Sequence, residues 1–176
     1  MTYNPREYWR DKPADPVKRV HGRQEAALLD AVADLTPTSI LEVGVGTGRI
    51  ASLLTTKWPD ATYTGIDLSP ARLAYARKTL PGHVELIETD LLDWEPDHFC
   101  DLVIAVEVLM HIRPSDLDYA MERLRVWSRQ AIVTVDWTEP IEGPIGPWNF
   151  LHDYAAHGLR VVSKVDLQSV HRWDWW

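Results

Sequence analysis

Short apolar runs alternate with amphipathic stretches along most of this 176-residue chain. Ile40–Val45, Ala61–Leu68, Val84–Glu88, Asp101–Val108 and Gln130–Trp137 have the length and composition of strands. The fourth is almost wholly apolar, as a strand covered on both faces must be. Helices are predicted between them: Arg49–Trp58, a stretch opened by Ser69-Pro70 and closed by Pro81-Gly82, and Pro114–Trp127 with Ser115 and Asp116 at its start. Upstream, Val17, Val20, Ala27, Leu28, Ala31 and Val32 recur at helical spacing. They predict a helix from Asp15 to Leu35, capped by Asp15, with Pro16 in its first turn and Thr36-Pro37-Thr38 as its stop.

Strands alternating with helices imply a parallel sheet with helices on both faces. The alternation stops after Trp137. Thr138–Trp148 carries Pro140, Gly143, Pro144, Gly146 and Pro147 and reads as a loop. Asn149–His157 predicts a short helix ended by Gly158, and Leu159–Val165 with Ser169–Trp176 predicts a closing hairpin. The expected architecture is a three-layer α/β sandwich: a seven-stranded, mostly parallel sheet with an antiparallel C-terminal hairpin, in one domain over residues 1–176.

The chemistry concentrates where the first strand ends. Leu41-Glu42-Val43-Gly44-Val45-Gly46-Thr47-Gly48 is a strand, a glycine turn and the start of a helix. Such a turn lets a ligand approach the backbone, because no Cβ intervenes. In open α/β sheets this is where ligands bind. The spacing is not the dinucleotide fingerprint G-x-G-x-x-G, since Arg49 stands where its last glycine belongs. No Gly-Lys-Ser/Thr follows, which excludes a P-loop. A ligand-free turn is the bland alternative.

Acid-x-Gly-x-Gly-x-Gly over Glu42–Gly48 resembles motif I of the class I S-adenosylmethionine (SAM)-dependent methyltransferases, a Rossmann-like family. The similarity extends in spacing to Asp67 and Asp90, and in pattern to the end of the chain. It implies SAM as cofactor. Gly44, Gly46 and Gly48 would pass under its methionine portion, and Glu42 would help hold its amino group. Asp67, about 20 residues beyond the turn, is placed to accept both ribose hydroxyls. That also disfavours a 2′-phosphate. Its plainer role is a helix cap, although Ser69 could serve there. Leu68 would pack on the adenine, Asp90 would accept its amino group in preference to Asp93, and Leu91 would offer a backbone amide.

Ala105-Val106-Glu107-Val108-Leu109-Met110-His111-Ile112 matches the family segment beside the transferred methyl. Glu107 and His111 share a face if the chain turns helical after Val106. His111 is the candidate base, with Glu107 assigned to both the catalytic and the cofactor site; a packing histidine is the competing reading. No Asn/Asp-Pro-Pro-Tyr/Phe and no Pro-Cys nucleophile is present, so amide-, exocyclic-amine- and cytosine-C5-type chemistry is not indicated. Cys100 belongs at the far end of its strand, and His152 with Asp153 is too little for a metal site.

Composition narrows the partners. A net charge of −8 disfavours broad nucleic-acid binding. No apolar run approaches the ~18 residues of a membrane helix, and a single cysteine fits a reducing cytoplasm. The pocket-forming segments Tyr3–Trp9, Leu109–Pro114 and Trp137–Trp148 are short, which suggests an open or homodimer-completed pocket and a small-molecule acceptor methylated on oxygen or nitrogen. Tyr3, Tyr8 and Trp9 are expected to form a mobile aromatic lid within a lead region over residues 1–35. A SAM-binding protein without catalysis and a related transferase, such as an aminopropyl transferase, are the alternatives.

Overall fold

The computed structural model describes residues 4–13, 22–139 and 148–175. Its elements run α1 (Pro5–Arg10), α2 (Gly22–Ala31), β1 (Ser39–Val43), α3 (Arg49–Lys57), β2 (Thr62–Asp67), α4 (Pro70–Thr79), β3 (Glu85–Glu88), β4 (Cys100–Val106), α5 (Pro114–Trp127), β5 (Ser128–Trp137), β6 (Arg160–Val165) and β7 (Gln168–Asp174). The strands form one sheet in the order β3-β2-β1-β4-β5-β7-β6. The first five are parallel, while β7 lies antiparallel to both β5 and β6. This is the expected seven-stranded architecture.

Alternation within the strands builds the three layers. Ile40, Leu102, Ile104 and Val133 face α2 and α3 through Leu28, Ala51 and Leu54. Leu41, Val43, Val103 and Ile132 face α5 through Leu117, Met121, Leu124 and Trp127. Every residue of β4 is buried, in keeping with its apolar sequence. Cys100 starts that strand, buried and far from the glycine turn.

Several expected boundaries shift for local reasons. The start of the Asp15–Leu35 helix, including Asp15, Pro16, Val17 and Val20, lies outside the described residues. Its end falls at Ala31, where Ala33 N–H donates to Asp30 and Leu35 N–H to Val32 in tighter turns. β1 stops at Val43 because the N–H groups of Gly44 and Val45 both turn to Ile66 O. β4 stops at Val106 because Glu107 takes a left-handed φ of 57°. The helix expected over Asn149–His157 shrinks to a 3-10 turn at Ala155–His157, closed by Gly158 as expected. Residues before it stay extended to bond the loop after β4: Phe150 N–H donates to Met110 O, and His152 Nε2–H to the carbonyls of Leu109 and Ile112.

Strand order reverses between the parallel neighbours β1 and β4: the chain continues from β1 toward β2 on one side and from β4 toward β5 on the other. A crevice opens outside their carboxyl ends, as such a switch requires. No helix among the described residues is long and apolar enough to cross a membrane.

Candidate active site

A cavity of about 480 Å³ occupies that crevice. Small-molecule sites typically span ~300–1,000 Å³. Its wall includes Gly44 and Gly46 after β1, Asp67 and Leu68 after β2, and Glu107 and His111 after β4. The residues singled out in the sequence therefore converge, with one exception.

The exception is Gly48. It does not line the cavity, and a Cβ there would meet Leu80 Cδ1 at 2.8 Å. Its place is close packing between α3 and the end of α4, not a ligand cradle. Gly46 is the opposite case. At φ +55° a Cβ would meet nothing nearer than Gly44 O at 3.9 Å and Asp67 Oδ2 at 4.0 Å. Its bare backbone faces open cavity.

Asp67 fastens this turn. Its Oδ2 accepts Gly46 N–H at 2.8 Å and its Oδ1 accepts Ser69 N–H at 2.8 Å. Ser69 is the N-cap of α4, accepting Arg72 N–H at 3.3 Å, so Asp67 is not needed as a cap. Each carboxylate oxygen has two acceptor positions, which leaves one apiece for a ligand. Burial raises the Asp67 carboxyl above its ordinary range, against the pull of the Ser69 and Gly46 N–H groups and of Arg72.

Glu42 is buried under the same turn and accepts Tyr63 Oη–H at 2.7 Å. Burial pushes it up to about 8 despite that bond and the charge of Arg49. A buried carboxyl of this kind ionises most readily when a cation joins it. Asp90 is more occupied than its sequence suggested. Its Oδ1 accepts Leu92 N–H at 2.9 Å and its Oδ2 accepts Arg6 Nε–H at 2.7 Å. Arg6 also reaches Asp93, the competing carboxylate. The side chain of Leu91 turns into the core, but the residue still borders the cavity.

The floor is the chain after β4. Glu107 N–H donates to Val135 O at 2.7 Å, and its side chain accepts Gln168 Nε2–H at 2.6 Å. Gln168 in turn accepts from Gln24, which accepts from Arg49. A non-glycine residue held left-handed at such a place stores strain that its surroundings must fix. A 3-10 turn over Leu109–His111 follows, not the full helix that would align Glu107 with His111. Asp136 at the end of β5 supports the turn: wholly buried, it accepts Met110 N–H at 3.2 Å. Burial pushes its carboxyl well above the ordinary range.

His111 Nδ1 lies 2.9 Å from Trp148 O. A carbonyl only accepts, so Nδ1 carries the proton and Nε2 is the basic nitrogen of the neutral ring. Burial lowers the imidazole's affinity for a second proton, and the Arg72 charge adds to this against the Trp148 bond and Glu107.

α1 forms the roof. The Trp9 ring packs 4.5 Å from the His111 ring, and Tyr8 stacks on Trp148 at 4.8 Å. The Arg72 guanidinium lies 5.1 Å from the Trp9 centroid. Of the aromatic residues expected to form a mobile lid, Trp9 lines the cavity and Tyr8 packs on Trp148, whereas Tyr3 lies outside the described residues. Sequence reasoning placed Arg6 and Trp148 only within pocket-forming segments and missed Arg72, Asp136 and Gln168. Two of these three had a local signal: Arg72 in the first turn after Asp67, and Asp136 as a charge ending an apolar strand.

A methyltransferase-domain family matches the chain over residues 40–130. The chain belongs to the SAM-dependent methyltransferases, in agreement with its glycine turn and sheet. Among its relatives is the trans-aconitate 2-methyltransferase of Escherichia coli O1:K1 / APEC, 34% identical over 105 residues, covering 57% of this chain and 41% of that protein. The same-named enzyme of Shigella dysenteriae serotype 1 (strain Sd197) is 32% identical over 130 residues, covering 72% and 51%. The chain spans about half the length, or less, of these curated relatives. In structure it is similar to the N-methyltransferase NodS from Bradyrhizobium japonicum WM9, solved with S-adenosyl-L-homocysteine (TM-score 0.73, 16% identity, 98% of this chain and 97% of that one). It is also similar to the magnesium protoporphyrin IX methyltransferase from Synechocystis PCC 6803, solved with the same product (TM-score 0.67, 14% identity, 86% and 82%). At these identities the likeness concerns the fold.

Proposed function

We propose that the protein transfers the methyl group of SAM to an oxygen or nitrogen of a small organic acceptor. The observation that carries this reading is the meeting of three things in one cavity: the open backbone at Gly46, the Asp67 carboxylate with acceptor capacity to spare, and a histidine whose tautomer is set. SAM supplies a sulfonium methyl, already electrophilic, for in-line attack.

The chain's own tasks are binding, alignment, exclusion of water and handling of one proton. Gly46 gives the ligand backbone access, while Gly44, where a Cβ would run into the Val108 side chain, lets the loop after β4 pack against the turn. Asp67 would take the ribose hydroxyls, and Glu42 would answer a cationic amino group. Leu68 and Leu91 flank the adenine end, with Asp90 as its polar acceptor beside Arg6. Holding two reactants in register can supply roughly 7–11 kcal/mol of a barrier. His111, kept neutral by burial, would accept the acceptor's proton at Nε2, while Trp148 O holds the opposite nitrogen. Glu107 orients the loop that carries it. Trp9 and Tyr8 cover the site.

Calorimetry with S-adenosylhomocysteine, followed by methyl-group transfer from labelled SAM to a panel of small hydroxy and amino compounds, tests this reading. Product binding with transfer to a panel member is expected. Binding without transfer to any acceptor would favour a SAM-binding protein without catalysis.

A further inference from the structure

Four arginines line the cavity: Arg6, Arg49, Arg72 and Arg113. Three have anionic partners. Arg6 pairs with Asp90 and Asp93, Arg49 with Glu25 at 3.0 Å, and Arg113 with Asp116 at 2.9 Å. Arg72 makes no ion pair among the described residues, and its buried Nε has no hydrogen-bond partner. The nearby acid does not serve it: Asp67 lies close enough for the two charges to interact, but among the described residues it forms neither an ion pair nor a hydrogen bond with Arg72.

An unpaired guanidinium donor withdrawn from water is costly, and an incoming anion would remove that cost. The face of Trp9 holds the guanidinium plane at 5.1 Å, and Trp9 also touches His111. Arg72 and His111 thus share one aromatic wall. A fixed planar fork matches a planar oxyanion in two parallel hydrogen bonds.

On the proposed function the donor supplies no anion at this place. Next to Asp67 the proposed function puts the ribose, which is neutral, and it puts the donor's one carboxylate over the glycine turn. We propose that the methyl acceptor is an organic acid whose carboxylate is anchored by Arg72, leaving a second nucleophilic group of the same molecule to face His111. This rests on the methyltransferase reading of the site.

The test titrates protein saturated with S-adenosylhomocysteine with salicylate, 3-hydroxybenzoate and 4-hydroxybenzoate, each beside its neutral amide. At least one acid should bind about tenfold or more tightly than its amide. Arg72→Gln should bring that pair within about twofold and leave affinity for S-adenosylhomocysteine within about twofold. Arg72→Lys, which keeps the charge and loses the fork, should retain part of the preference and decides the matter if the glutamine variant does not fold. Equal binding of every acid and amide, or a preference unchanged in Arg72→Gln, overturns the anchor. So does about a tenfold loss of S-adenosylhomocysteine affinity in that variant, which would assign Arg72 to the donor's carboxylate. Failure of the wild type to bind S-adenosylhomocysteine at all is a different result and defeats the underlying reading.

Discussion

The two sides of the cavity are built differently. The cradle side comes from two neighbouring strand ends: Gly46 and Asp67 are joined by one short hydrogen bond, and both lie in runs that are recognisable along the chain. The covering side comes from distant segments. Arg6 reaches Asp90 and Asp93, Trp9 reaches His111, and His111 reaches Trp148. A backbone cradle is set by strand register and by positive φ, and few side chains can alter it. A cover of side chains can change its contacts without changing the fold. On the proposed function the cradle would hold the methyl donor, and the cover would distinguish one acceptor from another.

The sharpest way to break this contrast is Gly46→Val. The position is left-handed and faces open cavity, so a branched side chain adds backbone strain and fills ligand space together. No measurable binding of S-adenosylhomocysteine is expected by calorimetry, with cooperative melting retained. Unchanged affinity would remove the glycine turn from the site. Asp67→Ala should act in the same direction through lost charge-assisted bonds, worth about 1.5–3 kcal/mol, or roughly tenfold or more in affinity.

His111→Ala probes the floor, where the two sides meet. Loss of a general base typically lowers turnover about 10²–10⁴-fold. Affinity for S-adenosylhomocysteine should hold within about twofold, because no cradle contact is removed. The folded imidazole is held below its ordinary range by burial, with Arg72 adding to the effect, so it stays neutral as pH falls toward that range. The acid limb of the rate profile should accordingly lie below the ~6.5 of an unperturbed histidine. Equal losses of turnover and melting cooperativity would return His111 to a packing role.

Sequence and structure agree best where one local rule suffices. The mostly parallel seven-stranded sheet follows from alternation of runs plus a hairpin, and α5 begins and ends at Pro114 and Trp127 as its pattern predicts. The glycine turn, Asp67 and His111 were legible because each sits a fixed few residues from a strand end. The roles of Gly48 and Asp90 were not. Spacing could not show that Leu80 packs against one or that Arg6, 84 residues away in sequence, occupies the other. The segment at Asn149–Tyr154 failed as a helix for a related reason. Its helical pattern lost to tertiary bonds, with His152 spent on the loop after β4, while Asp153 caps only the short turn through the Ala155 and Ala156 N–H groups.

Glu42→Gln separates the cradle's stability from its binding. The folded carboxyl is raised by burial to about 8, from an ordinary 4.5. A raised acid contributes fully below its unfolded value and loses that contribution as pH climbs through the folded one. The wild type should therefore weaken relative to Glu42→Gln between about pH 4.5 and 8. Melting curves should show the variant gaining on the wild type by about 4 °C or more at alkaline pH over its position at acid pH, equivalent to roughly 1–2 kcal/mol. A difference that does not change with pH would mean that the folded Glu42 titrates normally.

The smallest expected effect belongs to the cover's edge. Arg6 is nearly half exposed, at 45%, and bridges Asp90 and Asp93 from α1. Exposed pairs of this kind contribute about 0–1 kcal/mol, so Arg6→Ala should move the apo melting temperature by no more than about 4 °C. The pair's use would be kinetic: it ties the helix that carries Trp9 over His111 and lines the cavity. Release of S-adenosylhomocysteine, followed by tryptophan fluorescence in stopped flow, should quicken by up to about fivefold in Arg6→Ala. Raising salt should speed release from the wild type and leave the variant almost unaffected, because screening weakens only a pair that is present. Equal release rates and equal salt dependence would mean that α1 does not gate the cavity. A fall in apo melting temperature well beyond that limit would make α1 a permanent part of the packed fold, and the aromatic cover a fixed wall.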